Sequence, residues 1–247
     1  MHLGIRESVA LARGVSRSLR GQEVVPEVAV FPSFTALSEV RKALARSRVH
    51  VGAQNVGTDK QGAFTGEVSP SMLEDVGCRY ALVGHSERRW VFNESSELIR
   101  QRLEACLTSH VTPVLCVGEP REVRDAGDQE SFVEAQLRVA LSGLSLGSSD
   151  LFIAYEPVWA IGSGETATIA QALEMHAFIR STVSSLLSVD PDRVPLLYGG
   201  SVKPENAYQL LREREIDGVL VGGASLKIHA FADIMKAALD VITAQRI

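Results

Sequence analysis

A regular alternation of short apolar runs with amphipathic segments constrains the fold of this chain more than any other feature. Seven runs are apolar almost without interruption, and they cover residues 28–31, 51–54, 80–83, 113–117, 151–155, 194–198 and 219–221. A strand with one face in water alternates apolar and polar residues, whereas a parallel strand covered on both faces is apolar throughout. The alternation of such strands with helices predicts an α/β fold with a parallel sheet and right-handed crossovers.

The segments between these runs have the three- and four-residue spacing of helices with one apolar face. The clearest such faces are formed by Ile5, Val9, Ala12, Val15 and Leu19; by Ile99, Leu103, Cys106 and Leu107; by Val133, Leu137, Ala140, Leu141 and Leu144; and by Phe231, Ile234, Met235, Ala238 and Ile242. We count eight main helical segments for seven strands. An open doubly wound sheet and a closed (β/α)8 barrel both fit, and the eight helices favour the barrel. We therefore expect a (β/α)8 barrel whose first strand would precede Met1.

Composition and charge narrow the class of protein. The 247 residues contain no Ser/Gly-rich linker and no low-complexity tract, so we expect a single domain over residues 1–247. The net charge is −5 and no run of Lys or Arg is found, which argues against a nucleic-acid partner and against an anionic membrane surface. No apolar run reaches the length of a membrane span.

The residues that bear on cellular location favour the cytoplasm. Arg6 and Glu7 stand where a signal peptide would need an unbroken apolar stretch, so we expect no export. The cysteines Cys78, Cys106 and Cys116 show neither a disulfide framework nor the spacing of metal ligands. This pattern predicts buried, reduced thiols in a cytoplasmic protein.

Residues that directly follow the strands are the candidates for chemistry, because active sites in both architectures lie at the carboxyl ends of the strands. His85 follows the third strand and enters a helix, whose positive end disfavours an imidazolium. A neutral imidazole there would donate a hydrogen bond to a carbonyl oxygen and polarise it. A structural histidine is the alternative that the residues leave open. In that interpretation Arg88 or Arg89 pairs with Glu87 or Glu94.

Glu156 follows the strand at 151–155 and opens the segment Glu-Pro-Val-Trp-Ala-Ile-Gly-Ser-Gly. Pro157 excludes helical geometry at Glu156, so the carboxylate would lie at the strand tip beside Val158 and Trp159. Apolar neighbours of this kind raise the pKa of a carboxylate and strengthen it as a base. A stiff start, an apolar middle and a glycine-rich end are what a hinged lid requires. An ordinary loop with a solvated glutamate is the alternative.

Two glycine-rich turns complete the set of candidates. Gly199–Ser201 follows the strand at 194–198, and Gly222 with Gly223 follows the strand at 219–221. Glycines allow backbone N–H groups to approach an anion closely. The loops after the seventh and eighth strands of a barrel commonly bind phosphate, and these loops take that position if one strand precedes Met1. Plain turns are the alternative.

Together these positions supply a carboxylate base, a neutral hydrogen-bond donor, a lid and a phosphate-binding cradle. The combination suits proton transfer next to a carbonyl group in a small phosphorylated substrate. No cluster of metal ligands is found at the strand ends, and no lysine stands where a Schiff base would need one. We therefore predict neither a metal nor a cofactor.

Five longer motifs carry a resemblance to a known family: VGHSERR, AYEPVWAIGSG, YGGSV, VGGASLK and GAQNVGTDKQGAFTGEVSP. In order and over essentially the whole chain, they resemble triosephosphate isomerases. The resemblance implies a TIM barrel that interconverts dihydroxyacetone phosphate and D-glyceraldehyde 3-phosphate through an enediolate, in glycolysis and gluconeogenesis. It implies that Glu156 takes the proton from carbon and that His85 polarises the carbonyl group. The backbone residues that it implies as phosphate ligands are Gly162, Ser201, Gly222 and Gly223.

The resemblance also implies a homodimer. Residues 61–66 look like the family's interdigitating loop, which would carry Thr65 to the active site of the neighbouring subunit. Glu87 looks like a supporting residue behind the site. No nucleic acid and no membrane enter this interpretation.

Two departures from the family pattern bear on function. The family lid usually ends Gly-Lys-Thr, whereas this chain has Glu165 at the lysine position, so we expect a modest effect on lid kinetics. The family's first strand ends in Asn-x-Lys-Met, and Met1 falls on that methionine. The lysine of this pattern contacts the substrate phosphate and the enediolate in the family, and no other lysine of the chain stands in its place.

These departures leave three hypotheses. We expect an ordinary isomerase whose longer native chain supplies the first strand. The second hypothesis is a non-catalytic phosphate-binding or interaction protein derived from the barrel, and the third is a different phosphosugar isomerase or epimerase. Without the first strand, we expect residues 28–31 and 219–221 to form exposed edges of the sheet.

Overall fold

The computed structural model describes residues 1–162 and 164–245. Its strands are β1 (Val28–Val30), β2 (Val49–Ala53), β3 (Tyr80–Val83), β4 (Thr112–Val117), β5 (Phe152–Tyr155), β6 (Leu196–Tyr198) and β7 (Gly218–Val219). Its helices are α1 (Ile5–Ser18), α2 (Leu37–Ala43), α3 (Pro70–Val76), α4 (Ser86–Trp90), α5 (Ser96–Leu107), α6 (Arg121–Ala126), α7 (Gln129–Leu141), α8 (Ile169–Leu187), α9 (Pro204–Leu211) and α10 (Ile228–Ala244).

The seven strands form one sheet in chain order, and every neighbouring pair is parallel. A connection of at least one helix returns the chain to the start of each next strand. Because all strands run in the same direction, their carboxyl ends meet along one edge of the sheet, which we call the carboxyl rim. The predicted α/β fold with a parallel, barrel-like sheet is confirmed.

The inner face of the sheet shows that it curls. Its buried cluster contains Tyr80, Leu82, Val114, Cys116 and Ala154, with Ala29, Phe31, Phe152, Leu197 and Leu220 packed against them. Because side chains from β1 share this cluster with Leu220 beyond β7, the sheet curves into a half-closed barrel. Within residues 1–162 and 164–245, β1 and β7 are the end strands and neither pairs on its outer side. The expected exposed edges at 28–31 and 219–221 are therefore present.

The helices cover the outer face of the sheet. α1 packs against α2 and α10, and Gly14 permits the latter contact, because a Cβ there would lie 2.9 Å from Cγ1 of Ile228. Three of the five residues predicted on the apolar face of α1 are buried and Val9 is half-buried, but Ile5 is 46% exposed, so the prediction was wrong for the first turn. No helix in the described ranges combines the length and the apolar character needed to cross a lipid bilayer.

The observed elements differ from the predicted ones in two further respects. The crossovers after β3 and after β4 each contain two helices, so the described residues form ten α-helices where we predicted eight segments. Asn93 (φ 52°) lies between α4 and α5, and Gly127 (φ 80°) ends α6, which explains both breaks. Leu144 lies outside α7, because that helix ends at Leu141 and Gly143 takes a positive φ of 73°.

A buried histidine lies where α8 packs on the sheet. The ring centroid of His176 is 6.0 Å from that of Tyr155 on β5 and 6.2 Å from that of Tyr198 on β6. Its Nδ1 is 3.0 Å from the carbonyl oxygen of Glu215, and its Nε2 has no hydrogen-bond partner among the described residues. Burial lowers the pKa of His176 to about 4. The ring is therefore neutral at pH 7 and donates its Nδ1 proton to the Glu215 carbonyl group.

This histidine predicts a loss of stability in mild acid. Between pH 6.5 and about 4, an unfolded chain protonates His176 whereas the folded protein does not, so the unfolded state binds more protons and stability decreases as the pH falls. The effect amounts to about 3 kcal/mol over this window. Urea unfolding between pH 7.5 and 4 gives the free energy of unfolding of the wild type and of His176→Phe at each pH. The difference between the two slopes of this free energy against pH measures the contribution of His176. Replacing the exposed His229 by phenylalanine should leave the slope unchanged, and equal slopes for His176→Phe and the wild type would contradict the prediction.

Candidate active site

His85 and Glu156 lie together at the carboxyl rim. His85 follows β3 and Glu156 follows β5, and Nε2 of His85 is 3.0 Å from Oε1 of Glu156. Glu156 is 2% exposed, although its carboxylate carries a charge that is expensive to bury without partners. The structure thus brings the residue predicted as the base and the residue predicted as the electrophile into direct contact.

Ser86 supplies the remaining partners of the buried carboxylate. Its backbone N–H donates to Oε2 of Glu156 over 2.8 Å, and its hydroxyl donates to Oε1 over 3.3 Å. Together with His85, these donors satisfy both carboxylate oxygens, which explains how the group is buried. The N-cap of α4 is His85, whose side chain accepts from the N–H of Glu87.

The protonation of His85 follows from its two ring contacts. The Glu87 N–H donates to Nδ1 over 3.3 Å, so Nδ1 is an acceptor and the ring proton lies on Nε2, facing Glu156. Burial lowers the pKa of His85, but the hydrogen bond and the charge of Glu156 outweigh burial, and the pKa is raised. The expected lowering is therefore wrong while Glu156 occupies this position. Burial is the largest single influence on this pKa, so without Glu156 beside it the ring would favour the neutral form.

Gly118, directly after β4, makes room for Glu156. A Cβ at Gly118 would overlap the carbonyl oxygen of Glu156. Gln136 on α7 fixes this glycine with two hydrogen bonds, one from the Gly118 N–H to Oε1 (2.9 Å) and one from Nε2 to the Gly118 carbonyl oxygen (3.2 Å). Sequence reasoning missed both residues. A glycine immediately after a buried strand was the one available signal.

Arg88 and Arg89 serve the framework of the site. Arg89 donates from Nε to the carbonyl oxygen of Gly84 and from Nη2 to that of Cys116, each over 2.8 Å, so it ties the ends of β3 and β4 together. Arg88 pairs with Glu94, with Nη2 2.5 Å from Oε1. The pairing that the structural alternative predicted is thus present for Arg88, whereas Arg89 binds backbone carbonyl groups.

The segment predicted as a lid begins, after Glu156, with a hydrogen-bonded turn. A short 3-10 helix covers Val158–Ala160, and Nε1 of Trp159 donates to Oε1 of Glu119 over 2.8 Å. The Tyr155 hydroxyl donates to the same oxygen over 3.0 Å. Glu119 is fully buried, and burial raises its pKa although these donors act in the opposite direction. Sequence reasoning did not single out Glu119, because a lone glutamate after a strand carries no distinctive spacing.

The tip of the segment predicted as a lid is exposed. Gly162 and Gly164 have φ values of 70° and 85°, which favour glycine, and a Cβ built on either would meet no atom within 4 Å. Ile161 is 36% exposed. Ser163, between the two glycines, lies outside the described residues. Gly162 and Gly164 are thus exposed on either side of the tip of this segment.

The two glycine-rich turns lie side by side after β6 and β7. A Cβ at Gly200 would collide with the Tyr198 hydroxyl, so this turn requires glycine. Ser201 is half-buried at the end of the same turn. Gly222 and Gly223 are exposed, and a Cβ on either would meet no atom within 4 Å, so the space beside them is open.

The two predicted supporting residues lie at the edges of this arrangement. The side chain of Glu87 is mostly exposed, with Oε2 4.0 Å from Nδ1 of His85, so its closest contribution to the site is its backbone N–H. Thr65 is exposed on the loop between β2 and α3. The structure therefore groups His85, Ser86 and Glu156 tightly and leaves Thr65 on the surface of this chain.

Comparison with known proteins gives a consistent result over most of the chain. A family model described as triosephosphate isomerase matches residues 1–238. The triosephosphate isomerase of Roseiflexus sp. (strain RS-1) is 51% identical over 211 residues, which are 85% of this chain and 83% of that protein. The triosephosphate isomerase of Rhodopirellula baltica is 45% identical over 240 residues (96% and 94%), and that of Carboxydothermus hydrogenoformans is 46% identical over 235 residues (94% and 93%).

The contact between Gly118 and Glu156 predicts a specific sensitivity. Replacing Gly118 by alanine should lower the free energy of unfolding by about 1–3 kcal/mol, because the atom in the way belongs to the backbone and cannot rotate aside. Urea unfolding measures the loss. The control is Gly223→Ala, whose Cβ would meet no atom within 4 Å and should change stability by less than about 0.5 kcal/mol. A Gly118→Ala protein as stable as this control would refute the prediction.

Proposed function

The chain belongs to the triosephosphate isomerase family, and we propose that it interconverts dihydroxyacetone phosphate and D-glyceraldehyde 3-phosphate through an enediolate. The observation that carries the proposal is the 3.0 Å contact between Nε2 of His85 and Oε1 of Glu156. A carboxylate and an N–H donor this close together could both reach two adjacent carbons of a small substrate, which supports the proposal. We propose Glu156 and His85 as the catalytic residues.

The chemistry requires one base and one shuttling donor. Glu156 removes a proton from the carbon next to the carbonyl group, and the electron pair moves onto the carbonyl oxygen to give the enediolate. His85 stabilises that oxygen through its Nε2–H, and a proton passes between the two oxygens through the ring. Glu156 then returns its proton to the neighbouring carbon, which gives the isomer. Hydrogen leaves and returns as a proton, so the oxidation states of the two carbons exchange within one molecule.

The position of Glu156 in this structure is a resting position. Its oxygens accept hydrogen bonds from Ser86 and His85, so framework donors occupy the atoms that would take a proton from the substrate. Pro157 joins Glu156 directly to the lid, so closure of the lid would move the carboxylate away from these donors. Closure would also remove water from around the carboxylate and the substrate.

The glycine-rich turns would hold the phosphate group. Gly222 and Gly223 border open space at the rim, and Ser201 lies on the turn of the neighbouring strand. Backbone N–H groups in such turns bind anions without a competing side chain. Gly162 would join them when the lid closes, so we propose these four residues as the substrate-binding set.

The wider setting follows from the family and from the thiols. We propose one domain over residues 1–247 that acts in glycolysis and gluconeogenesis. Cys78, Cys106 and Cys116 are free and buried, and thiols persist in this state in the reducing cytoplasm, where we place the protein.

The catalytic assignment predicts two large losses of turnover. Glu156→Gln should lower kcat by about 10²–10⁴, because an amide cannot accept the proton. His85→Gln should lower kcat by about 10²–10³, because the donor to the developing oxyanion is displaced. A steady-state assay with each triose phosphate measures both, and Glu130→Gln and His229→Gln at exposed sites are the matched controls. A protein that binds inorganic phosphate but turns over neither triose phosphate would contradict the proposal, and preferential turnover of another phosphosugar would redirect it.

We also propose that the chain forms a homodimer through the loop between β2 and α3. The loop is closed at its base by a hydrogen bond from the Gly57 N–H to the Val68 carbonyl oxygen (2.7 Å). Arg102 lies beneath it, paired with Glu94 and Glu67 over 3.0 and 3.5 Å. This rigid loop carries Phe64 at its tip, 52% exposed. A rigid loop that presents an exposed aromatic ring is typical of a protein interface, and the resemblance indicates that a second copy covers it.

The dimer proposal predicts a change of mass on mutation. The wild type should sediment at twice the chain mass of 26.7 kDa, and Phe64→Glu should sediment as a monomer, because the new charge would be buried in the interface. Analytical ultracentrifugation at micromolar concentration measures this. Val139→Glu, at an exposed apolar position on α7, should remain dimeric. A monomeric wild type, or a dimeric Phe64→Glu variant, would refute this interface.

A further inference from the structure

We propose that Arg121 is a positioning residue for the lid, which it holds open by binding both ends of the lid at once. One end is Trp159 and the other is Glu165, and we call Arg121, Trp159 and Glu165 the clasp. The inference rests on the proposed function in one respect, because it assumes that the lid covers the bound substrate. Its test also includes a measurement that needs no substrate.

The clasp is visible in two contacts of a single guanidinium group. Arg121 is the first residue of α6, and its guanidinium carbon is 4.8 Å from the centroid of the Trp159 ring. Its Nη2 forms an ion pair with Oε2 of Glu165. Trp159 lies in the first turn of the lid, whereas Glu165 follows the last glycine. One cation on a framework helix therefore contacts the lid on both sides of its tip.

The surroundings of Trp159 make the first of these contacts specific. The indole N–H donates to the buried Glu119, and Arg124 lies 5.9 Å from the ring centroid. Arg124 itself is held by Glu174, with Nη2 3.7 Å from Oε2. The ring thus has a fixed hydrogen bond and a cation beside it on the framework. Arg121 adds the link from this anchored end of the lid to the far end.

Arg121 and Glu165 carry opposite charges. The family usually has a lysine where this chain has Glu165, and a lysine there would face Arg121 with the same charge. The pairing therefore depends on the charge reversal at Glu165. Asp125 lies one turn further along α6, and its Oδ1 is 3.7 Å from Nη1 of Arg121. This carboxylate helps to orient the guanidinium group. Glu165, which departs from the family pattern, thus has an oppositely charged partner in this chain.

The clasp has a direct consequence for the lid equilibrium. Closure has to bring Gly162 over the rim, and this moves at least one end of the lid relative to α6. Because Arg121 belongs to α6, closure stretches or breaks one of its two contacts. An exposed ion pair and a cation–π contact together bias such an equilibrium by about three- to tenfold. The clasp therefore favours opening, which speeds product release and weakens binding of ligands that need a closed lid.

The first test measures the clasp without any ligand. The chain has two tryptophans, so Trp90→Phe leaves Trp159 as the single fluorophore. In this background, Glu165→Gln should increase acrylamide quenching of Trp159, because loss of the charge at one end releases Arg121 from the other. Arg121→Gln should do the same, and the double variant should match the single variants because the residues act as one unit. Additive effects, or a Glu165→Gln variant quenched like its parent, would overturn the proposal.

The second test measures the effect on binding and turnover. The probe is 2-phosphoglycolate, a phosphorylated carboxylate that mimics the planar enediolate. Arg121→Gln and Glu165→Gln should each lower its Kd by about three- to tenfold and lower KM and kcat together. High salt weakens binding of this anion in every protein, but the wild type should lose less affinity than the variants, because salt also screens the Arg121–Glu165 pair.

The matched control is a second exposed ion pair. Arg138→Gln and Glu134→Gln each remove an ion pair between two residues that lie one helical turn apart on α7. Both should leave the quenching of Trp159, the Kd for 2-phosphoglycolate and kcat at the wild-type values. Unchanged Kd and KM in the clasp variants would overturn the proposal. If the wild type turns over no triose phosphate, the proposed function fails, and the quenching experiment still decides whether the clasp exists.

Discussion

The close approach of Gly118 to the backbone of Glu156 is the constraint on which the carboxyl rim depends. His85 and Glu156 do not follow neighbouring strands, because β4 lies between β3 and β5. A side chain on the residue directly after β4 would separate them. With glycine there, Glu156 lies across the end of β4 and reaches the residues that follow β3. Gln136 and Arg89 then hold the same strand end in place through its backbone groups.

This arrangement keeps Glu156, the proposed base, buried with both carboxylate oxygens satisfied. A buried carboxylate needs donors, but donors that occupy its oxygens also keep those oxygens from a substrate. Here the donors come from Ser86 and His85, which belong to the framework, whereas Glu156 is continuous with the lid. The carboxylate can therefore be satisfied in one lid position and released in another. The same movement would lower the pKa of His85, because the Glu156 carboxylate, which raises that pKa, would move away from the ring.

The fold and the centre of the site could be predicted from the sequence because they depend on repeated or local signals. Seven nearly continuous apolar runs indicated the number of strands, and their alternation with helices indicated that the strands are parallel. The residues that follow the strands then included His85, Glu156 and the glycine-rich turns. The contacts that tune these residues could not be predicted in this way. Ser86, Gly118, Gln136 and Glu119 act across gaps of 18 to 70 residues, and their roles depend on which strand ends meet in space. The effect of Glu165 also required a distant residue, since its partner Arg121 lies 44 residues away.

The order of the strands in the sheet also bears on how the protein is made. Each strand pairs with the strands next to it in the chain, so a growing polypeptide can add one strand and its helix at a time to an existing edge. His85 and Ser86 take their places with β3, but the carboxylate that they bind is 70 residues further along. During synthesis, these donors therefore emerge well before the carboxylate that they bind. The proposed base is made only after His85, Ser86 and Gly118, the framework residues that it contacts in the finished protein.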